Sequence, residues 1–288
     1  MSVKSIIRKV VRSVLFVRPT ESIPDAVTRH KLHFKRKLDP RQLDMSGFRQ
    51  MLHEMNISPG DVLIVHAAWR GCYALKAAPE DVLAELLQCV GENGTLLMPC
   101  YGADPDLFDV RTTPSAAGVL SEQLRKLPHA GRSGFSSAAM CGVGPLAEEI
   151  LSSHLQSQYA FDELSPYYKA IIHHNAKVLL IGLPLNTAKI SAYHCGAYDA
   201  WFHCAQRDDH YVRSTSSTTV IDRKGISHTI TPYYRKAPGP CKKNYRMLFK
   251  KIPKTTCEKA GVRLILFRGK DAYDAARVFC QAGGKLYK

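Results

Sequence analysis

The chain has 288 residues, which is enough for one large domain or two small ones with a substantial core. Its 45% hydrophobic and 23% charged residues are typical of a globular protein, and no apolar run reaches the roughly 18–20 residues that span a bilayer. Nine cysteines are scattered without a CxxC pair or a secretory signal, a pattern that favours reduced thiols and a cytoplasmic location over a disulfide scaffold.

The formal net charge of +15 is concentrated at the two ends of the chain. Residues 1–50 hold 12 Lys/Arg against 4 Asp/Glu, and residues 235–288 hold 15 against 3, which leaves 13 basic and 18 acidic residues between them. Such flanks predict docking to an anionic partner, for example a membrane surface or a phosphorylated ligand. No recognisable nucleic-acid module accompanies them, so we do not expect a nucleic acid as partner.

The first 18 residues form a basic amphipathic pattern at helical spacing. The apolar side holds Val3, Ile6, Ile7, Val10, Val11 and Val14, and the other side holds Lys4, Arg8, Lys9 and Arg12. The pattern fits a helix in the interface of the inner membrane, a helix packed on the protein's own core or on a sister subunit of a homo-oligomer, or a mitochondrial transit peptide. We therefore separate a basic N-terminal extension, residues 1–44, from an α/β domain, residues 45–288.

Helical and strand patterns alternate from residue 44 to the end of the chain. We predict helices over residues 44–55, 79–90, 115–127, 145–155, 165–174, 244–260 and 270–281. We predict strands over residues 62–67, 95–101, 177–183 and 262–268, with a hairpin across 217–234 that turns at residues 222–225. Short apolar strands separated by helices predict an α/β fold whose sheet is covered on both faces.

The connections between these elements carry motifs in a recognisable order. They read GDVLIVH (60–66), GENGTLLMP (91–99), TPSAAGVLSEQLR (113–125), GRS (131–133), GVGPLAEEI (142–150), SPYYKAI (165–171) and KVLLIGLPLNT (177–187), followed by His194. In order and spacing the chain resembles the aminoglycoside 3-N-acetyltransferase family as a divergent member. The resemblance implies a three-layer α/β/α sandwich around a central mixed sheet, and an enzyme that transfers the acetyl group of acetyl-CoA to a substrate amine.

His194 is the residue that the resemblance implies as the general base. An alkylammonium has a pKa near 10, so a positioned base that accepts the proton during attack on the thioester supplies about 10²–10⁴-fold in rate. The family's histidine is usually followed three residues later by Glu, where this chain has Ala197. Asn186, or a distant acid such as Asp162, is a candidate to orient the imidazole instead.

Four residues are candidates for binding coenzyme A. Ser115, at the start of the predicted 115–127 helix, and Arg132 match the family's pattern and suit phosphate groups. Ser133 follows Arg132 in the same motif, and His66 at the end of the first strand is expected to line the pocket. A surface ion pair is the alternative for Arg132. Lys242 and Lys243 are further candidates for the 3′-phosphate.

The departures from the family's pattern bear on the acceptor. Ala67-Ala68 replace a Ser pair, and Gly134 and the residues after it replace a His-containing segment that lines the acceptor region in the family. With the basic flanks, these changes favour an amino sugar of a surface glycan as acceptor. The alternatives are an aminoglycoside antibiotic as acceptor, and a catalytically degenerate protein that binds coenzyme A or serves as a scaffold.

We expect no metal site. His194-Cys195 and His203-Cys204 repeat a His-Cys pair nine residues apart, but on a continuous helix nine residues rise about 13.5 Å, too far for one zinc ion.

Overall fold

The structure, a computed structural model, describes residues 41–183, 211–235 and 241–287, together with Trp201 and a few residues between 11 and 34. The predicted segments that hold Asn186 and His194, and most of the predicted N-terminal helix, lie outside the described residues. The division of the chain at residue 44 stays a prediction.

Seven α-helices are described between residues 45 and 281. They are α1 (Met45–Glu54), α2 (Pro79–Val90), α3 (Val119–Arg125), α4 (Ala147–Leu151), α5 (Pro166–Tyr168), α6 (Lys242–Lys251) and α7 (Gly269–Gln281). Asp44 caps α1 by accepting the amide of Gly47 at 2.7 Å, and Pro79 opens α2 at a position that needs no donor. The chain that follows α5 continues as a single π-turn, Lys169–His173.

Seven strands form the central sheet, in the order β11-β12-β6-β1-β2-β5-β4. They are β1 (Val62–Ala67), β2 (Thr95–Pro99), β4 (Gly131–Arg132), β5 (Met140–Val143), β6 (Lys177–Ile181), β11 (Thr255–Lys259) and β12 (Val262–Arg268). The three central strands β2, β1 and β6 are parallel, whereas the flanking strands pair antiparallel. The predicted central mixed sheet is therefore confirmed.

Helices cover both faces of this sheet because side chains alternate along each strand. On β1, Leu63 and Val65 join a buried cluster with α1, α2 and α3, while Val62 and Ile64 join a second buried cluster with α4, α6 and α7. Two buried layers separated by one sheet make the three-layer α/β/α sandwich that was predicted. No helix among the described residues combines the length and the apolar character needed to cross a bilayer.

Two small sheets stand beside the central one. β3 (Leu107–Asp109), β8 (Thr218–Ile221) and β9 (Ser227–Ile230) form the first, and β7 (Tyr211–Arg213) pairs with β10 (Tyr233–Arg235) to form the second. The predicted turn at residues 222–225 is present: Asp222 accepts the amides of Lys224 and Ile226, both at 2.9 Å. The predicted hairpin is confirmed for β8 and β9, but its last residues belong to β10.

Two predicted helices are wrong in extent. The helix predicted at 115–127 begins only at Val119, because Gly118 has φ +136°, outside the helical region. The helix predicted at 244–260 ends at Lys251, and Pro253 follows its end. Residues 255–259 form β11 instead, and Ala260 and Gly261, with φ +49° and +77°, make the turn into β12.

Candidate active site

Three parallel strands end together at one edge of the central sheet. The register pairs Ala67 at the end of β1 with Ile181 at the end of β6, and β2 runs beside β1 in the same direction. Ligands of open α/β sheets bind outside the carboxyl ends of such strands. Leu183 is the last described residue before the segment that holds Asn186 and His194, so that segment starts from this edge.

Two glycines fix the point where this segment starts. A Cβ built on Gly71 would lie 1.7 Å from the carbonyl oxygen of Gly182, so a larger residue does not fit there. Gly182 itself has φ +69°, and a Cβ on it would lie 2.6 Å from Sγ of Cys72. The amide of Ala68 donates to the Ile181 carbonyl and the amide of Gly182 to the Arg263 carbonyl of β12, both at 2.8 Å. The chain therefore leaves β6 in one defined direction.

His66 lies at the same edge, as the second-to-last residue of β1. Its side chain is 7% exposed and stacks on Tyr167, with ring centroids 6.1 Å apart. Burial lowers the pKa of His66 to about 4, so the imidazole is neutral at physiological pH. A neutral imidazole cannot form an ion pair with a phosphate, but it can donate or accept a hydrogen bond. The predicted role of His66 in lining the pocket stays a prediction.

The loop of residues 157–165 contacts Tyr167 through Phe161, whose ring centroid lies 5.4 Å from that of Tyr167. Asp162 accepts hydrogen bonds from the Ser157 hydroxyl at 2.7 Å and from the amides of Tyr159 and Leu164 at 3.3 and 3.2 Å. Burial raises the pKa of Asp162, against these hydrogen bonds, which lower it. The carboxylate of Asp162 is thus engaged within its own loop, and its candidate role in orienting His194 stays a prediction.

Arg132 is a buried clamp rather than a surface residue. Its side chain is 5% exposed, and Nε donates to the Cys100 carbonyl at 2.8 Å while Nη1 donates to the Thr113 carbonyl. The guanidinium also lies 4.4 Å from the centroid of the Phe108 ring. The surface ion pair that we considered as the alternative is not formed with any described residue. Arg132 ties the end of β2 to the loop before α3, and its contact with coenzyme A stays a prediction.

Ser133 lies in the interior, with no exposed surface. Its Oγ is 3.0 Å from Nδ1 of His154 and accepts the amide of Met140 at 2.9 Å. The other ring nitrogen of His154, Nε2, is 3.2 Å from the Ala160 carbonyl, so it carries the proton and Nδ1 accepts from the hydroxyl. A contact of Ser133 with coenzyme A stays a prediction, and this geometry favours an indirect role.

Ser115 precedes α3 by four residues instead of lying at its first turn. Its amide donates to Glu122 at 2.8 Å, and its Oγ accepts the amide of Ala117 at 3.2 Å. Arg125 holds the same carboxylate, and this ion pair lowers the pKa of Glu122 to about 2. The amide of Ser115 is thus already bonded to a carboxylate, and a contact of Ser115 with coenzyme A stays a prediction.

Cys100 connects the two candidates on this side of the site. A hydrogen bond with Cys141 lowers the pKa of the Cys100 thiol, burial opposes it, and the charge of Arg132 and the side chain of Ser115 lower it further. Arg132 donates to the Cys100 carbonyl, and the amide of Ala116 donates to the Tyr101 carbonyl at 2.9 Å, so Arg132 and the loop of Ser115 both lie at the end of β2. A Cβ on Gly118 would lie 3.9 Å from the Ala67 carbonyl, which places this loop beside the end of β1.

Sequence reasoning missed the residues that hold the site in shape. The ion pair of Glu122 could have been predicted from the sequence, since Glu122 lies three residues before Arg125 on a predicted helix. The contact between Gly71 and Gly182 carried none, because their positions in the chain are far apart. Within the part of the chain that the structure describes, no three His, Cys, Asp or Glu side chains converge on a possible metal position.

Comparisons with known proteins give one answer. The profile of the family described as aminoglycoside 3-N-acetyltransferase matches residues 64–276. Aminoglycoside N(3)-acetyltransferase III of Serratia marcescens is 32% identical over 163 residues, which cover 49% of this chain and 60% of that protein. Aminoglycoside N(3)-acetyltransferase IV of a Salmonella species is 36% identical over 118 residues, 40% of this chain and 44% of that protein. The matches thus span about half the length of these relatives.

Solved structures with the same fold come from the same group. One described as AAC-VIa bound to sisomicin superposes with a TM-score of 0.69 at 18% identity, covering 84% of this chain and 99% of that one. One described as AAC-IIIb binary with CoASH gives a TM-score of 0.67 at 20% identity over 85% and 99% of the two chains. At these identities the likeness shows the fold alone. Because the family profile spans well over half of the sequence, the chain belongs to the aminoglycoside 3-N-acetyltransferase family.

Proposed function

We propose that the protein is a coenzyme A-dependent N-acetyltransferase that acetylates an amine of an aminoglycoside. The family match over residues 64–276 carries this proposal. The described part of the site supports it, because the segment with His194 starts from the sheet edge where His66 and the loop of Ser115 lie.

The relatives favour an aminoglycoside over a surface glycan as acceptor. Those we compared are named aminoglycoside N(3)-acetyltransferases, and one structural relative is described with sisomicin. Another is described with the thiol form of coenzyme A, which supports acetyl-CoA as donor. These names support the antibiotic-modifying alternative better than the glycan reading that the charge distribution suggested.

The reaction requires one bond to form and one to break. The lone pair of the acceptor amine attacks the thioester carbonyl, an amide forms, and coenzyme A leaves as a thiolate that takes up a proton. A base must remove a proton from the attacking nitrogen, and donors must stabilise the oxyanion on the carbonyl. Water must also be excluded, because it competes as a nucleophile.

We assign these tasks as follows. His194 is the base and Asn186 its orienting partner; both lie outside the described residues. His66 contributes a neutral ring on the wall of the pocket, where it can donate a hydrogen bond to the pantetheine arm or the thioester. Ser115 lines the side of the pocket that receives acetyl-CoA. Arg132 and Ser133 support that side through hydrogen bonds with the main chain.

The test is an acetyl-transfer assay with the full chain. Release of the coenzyme A thiol is followed with acetyl-CoA and a panel that includes sisomicin and gentamicin, and the product is examined by mass spectrometry. We expect thiol release that depends on the aminoglycoside, with one acetyl group on the drug. If coenzyme A binds by calorimetry but no aminoglycoside is acetylated, the proposed acceptor is wrong. If it does not bind at all, the scaffold reading replaces the enzyme.

Two observations favour a second candidate acceptor. The two basic ends of the chain favour an anionic substrate over a polycationic drug, and Ala67-Ala68 replace the Ser pair that was expected. The second candidate is therefore an amino sugar on a phosphate-bearing carrier. The same assay with nucleotide-linked amino sugars decides between the two, since the better acceptor shows the higher kcat/KM.

A further inference from the structure

One face of α6 presents a row of cations that nothing in the described structure neutralises. Lys242, Lys243, Arg246 and Lys250, which we call the basic stripe, are all exposed. None of them forms an ion pair or a side-chain hydrogen bond with another described residue, and α6 contains no acidic residue. The neighbouring α7 differs, because there Lys270 and Arg277 both pair with Asp274.

The basic stripe lies on one side of the helix. At 100° per residue its members fall within an arc of about 100°, and from Lys242 to Lys250 the helix rises about 12 Å. The buried side of α6 holds Tyr245, Leu248 and Phe249, which pack into the core. The exposed face is thus a convex, positively charged surface of defined length, anchored by aromatic side chains that point inward.

The basic stripe does not stabilise the helix that carries it. Lys242 and Arg246, and again Arg246 and Lys250, are like charges at i and i+4, an arrangement that destabilises a helix. Lys242 and Lys243 lie in the first turn, where the helix dipole disfavours positive charge. No acidic side chain among the residues that the structure describes offsets these costs, and an anionic partner would remove both.

We propose that the basic stripe docks the protein on the surface of an anionic phospholipid bilayer. A row of cations on a convex helix matches an extended sheet of headgroup phosphates, whereas a single phosphate ligand needs donors that converge. Single-stranded nucleic acid stacks on exposed aromatic rings, and the aromatic residues of α6 are buried. The stripe is distinct in sequence from the basic pattern of residues 1–18, and the proposal does not depend on the proposed enzymatic activity.

The expected strength of membrane binding follows from the number of charges in the basic stripe. Each Lys or Arg near an anionic membrane surface contributes a factor of roughly five in partitioning at moderate ionic strength. Removing three charges of the stripe should therefore weaken binding by roughly 100-fold. Because exposed charges are screened within about 10 Å at 0.1 M salt, added salt should weaken the binding of the unaltered chain.

The experiment is co-sedimentation of the full chain with vesicles. The unaltered protein is compared with a stripe variant, Lys242→Gln/Arg246→Gln/Lys250→Gln, on phosphatidylcholine vesicles with and without phosphatidylglycerol. A matched control, Lys76→Gln/Arg213→Gln/Lys224→Gln, removes three exposed cations from other elements. Circular dichroism checks that each variant is folded; if the stripe variant is not, Arg246→Gln alone carries the test with a roughly fivefold loss.

Binding of the unaltered protein and the control to the anionic vesicles, with a roughly 100-fold loss for the stripe variant, supports the proposal. Three outcomes overturn it. The first is that the unaltered chain does not bind the anionic vesicles. The second is that the stripe variant binds them as well as the control variant does. The third is that the unaltered chain binds neutral and anionic vesicles equally. Loss of coenzyme A affinity in the stripe variant with unchanged vesicle binding would instead assign α6 to the donor nucleotide.

Discussion

The hydroxyl of Ser133 lies 3.0 Å from Nδ1 of His154, in a pair that has no exposed surface. This bond joins the strands β4 and β5 to the turn of residues 152–156, and it requires a neutral imidazole, because Nδ1 must accept. Burial lowers the pKa of His154 to about 3, which keeps the ring neutral in the folded protein. The pair is a structural element with a built-in sensitivity to acid.

We predict that His154 makes the protein less stable as the pH falls. The unfolded chain binds the imidazole proton with a pKa near 6.5, whereas the folded chain does not until about pH 3, so the contribution is complete above 6.5 and is lost below it. Between about pH 7.5 and pH 5 the free energy of unfolding should fall by about 2 kcal/mol through His154 alone.

Urea unfolding at a series of pH values measures this effect. The variant His154→Gln should show a weaker pH dependence by that amount, and His129→Gln, which changes an exposed side chain, should keep the dependence of the unaltered chain. A His154→Gln curve parallel to that of the unaltered protein would contradict the prediction.

We predict that Gly182 is needed for its contacts as well as for its backbone angle. Gly182→Ala and Gly283→Ala both place alanine at a positive φ, +69° and +81°, but only the first meets a neighbour, Sγ of Cys72 at 2.6 Å. Backbone strain should lower the free energy of unfolding of both variants by about 1–2 kcal/mol. Overpacking should lower that of Gly182→Ala by roughly a further 1–3 kcal/mol.

Activity should separate the two glycine variants further. Gly182 lies just before the segment that holds His194, the proposed base, and a displacement of about 1 Å at a catalytic group costs on the order of 100-fold in rate. Thermal unfolding and kcat are the measurements. Equal effects of the two substitutions on both would show that only the backbone angle matters.

We predict that Arg132 contributes to stability through the main chain. Arg132→Met leaves the carbonyls of Cys100 and Thr113 without their donors in a buried setting, at about 1–3 kcal/mol for each. Arg223→Met is the control, because that guanidinium is half exposed and pairs with an exposed Glu148; it should change the free energy of unfolding by less than about 1 kcal/mol. Chemical denaturation compares the two, and similar losses would argue against the clamp.

The elements with strong local signals were predictable from the sequence. β1 and β12 begin and end where the apolar runs VLIVHA and VRLILFR do, and Pro79 and Gly91 bound α2. The segment after Lys251 was not predicted, because its helical pattern continues locally into residues 252–260. Pro253 and the turn at Ala260-Gly261 were the signals that should have ended the helix.

The position of the candidate residues along the chain could be predicted from the sequence, but their contacts could not. The order of the motifs indicated His66, Ser115 and Arg132, and the structure places all three near the carboxyl ends of β1 and β2. Which groups they bind depends on residues far away in the chain, such as Cys100 for Arg132. A sequence pattern carries the residue type and the position along an element, and it carries no information about such tertiary partners.

We predict, finally, that the two histidines of the proposed site differ in their effect on the pH–rate profile. With its pKa lowered to about 4, His66 does not change its charge between pH 5.5 and 9, so it cannot cause an acidic limb in that range. A base that works at its ordinary pKa, about 6.5 for an imidazole, must cause one. His194→Gln should therefore abolish the limb and lower kcat by about 10²–10⁴-fold. His66→Gln should keep the limb and raise the KM for acetyl-CoA, because it alters a neutral hydrogen-bonding group on the pocket wall.

The measurement is acetyl transfer from pH 5.5 to 9 for both variants, with His129→Gln as control. A limb that persists in His194→Gln would assign the base to another residue.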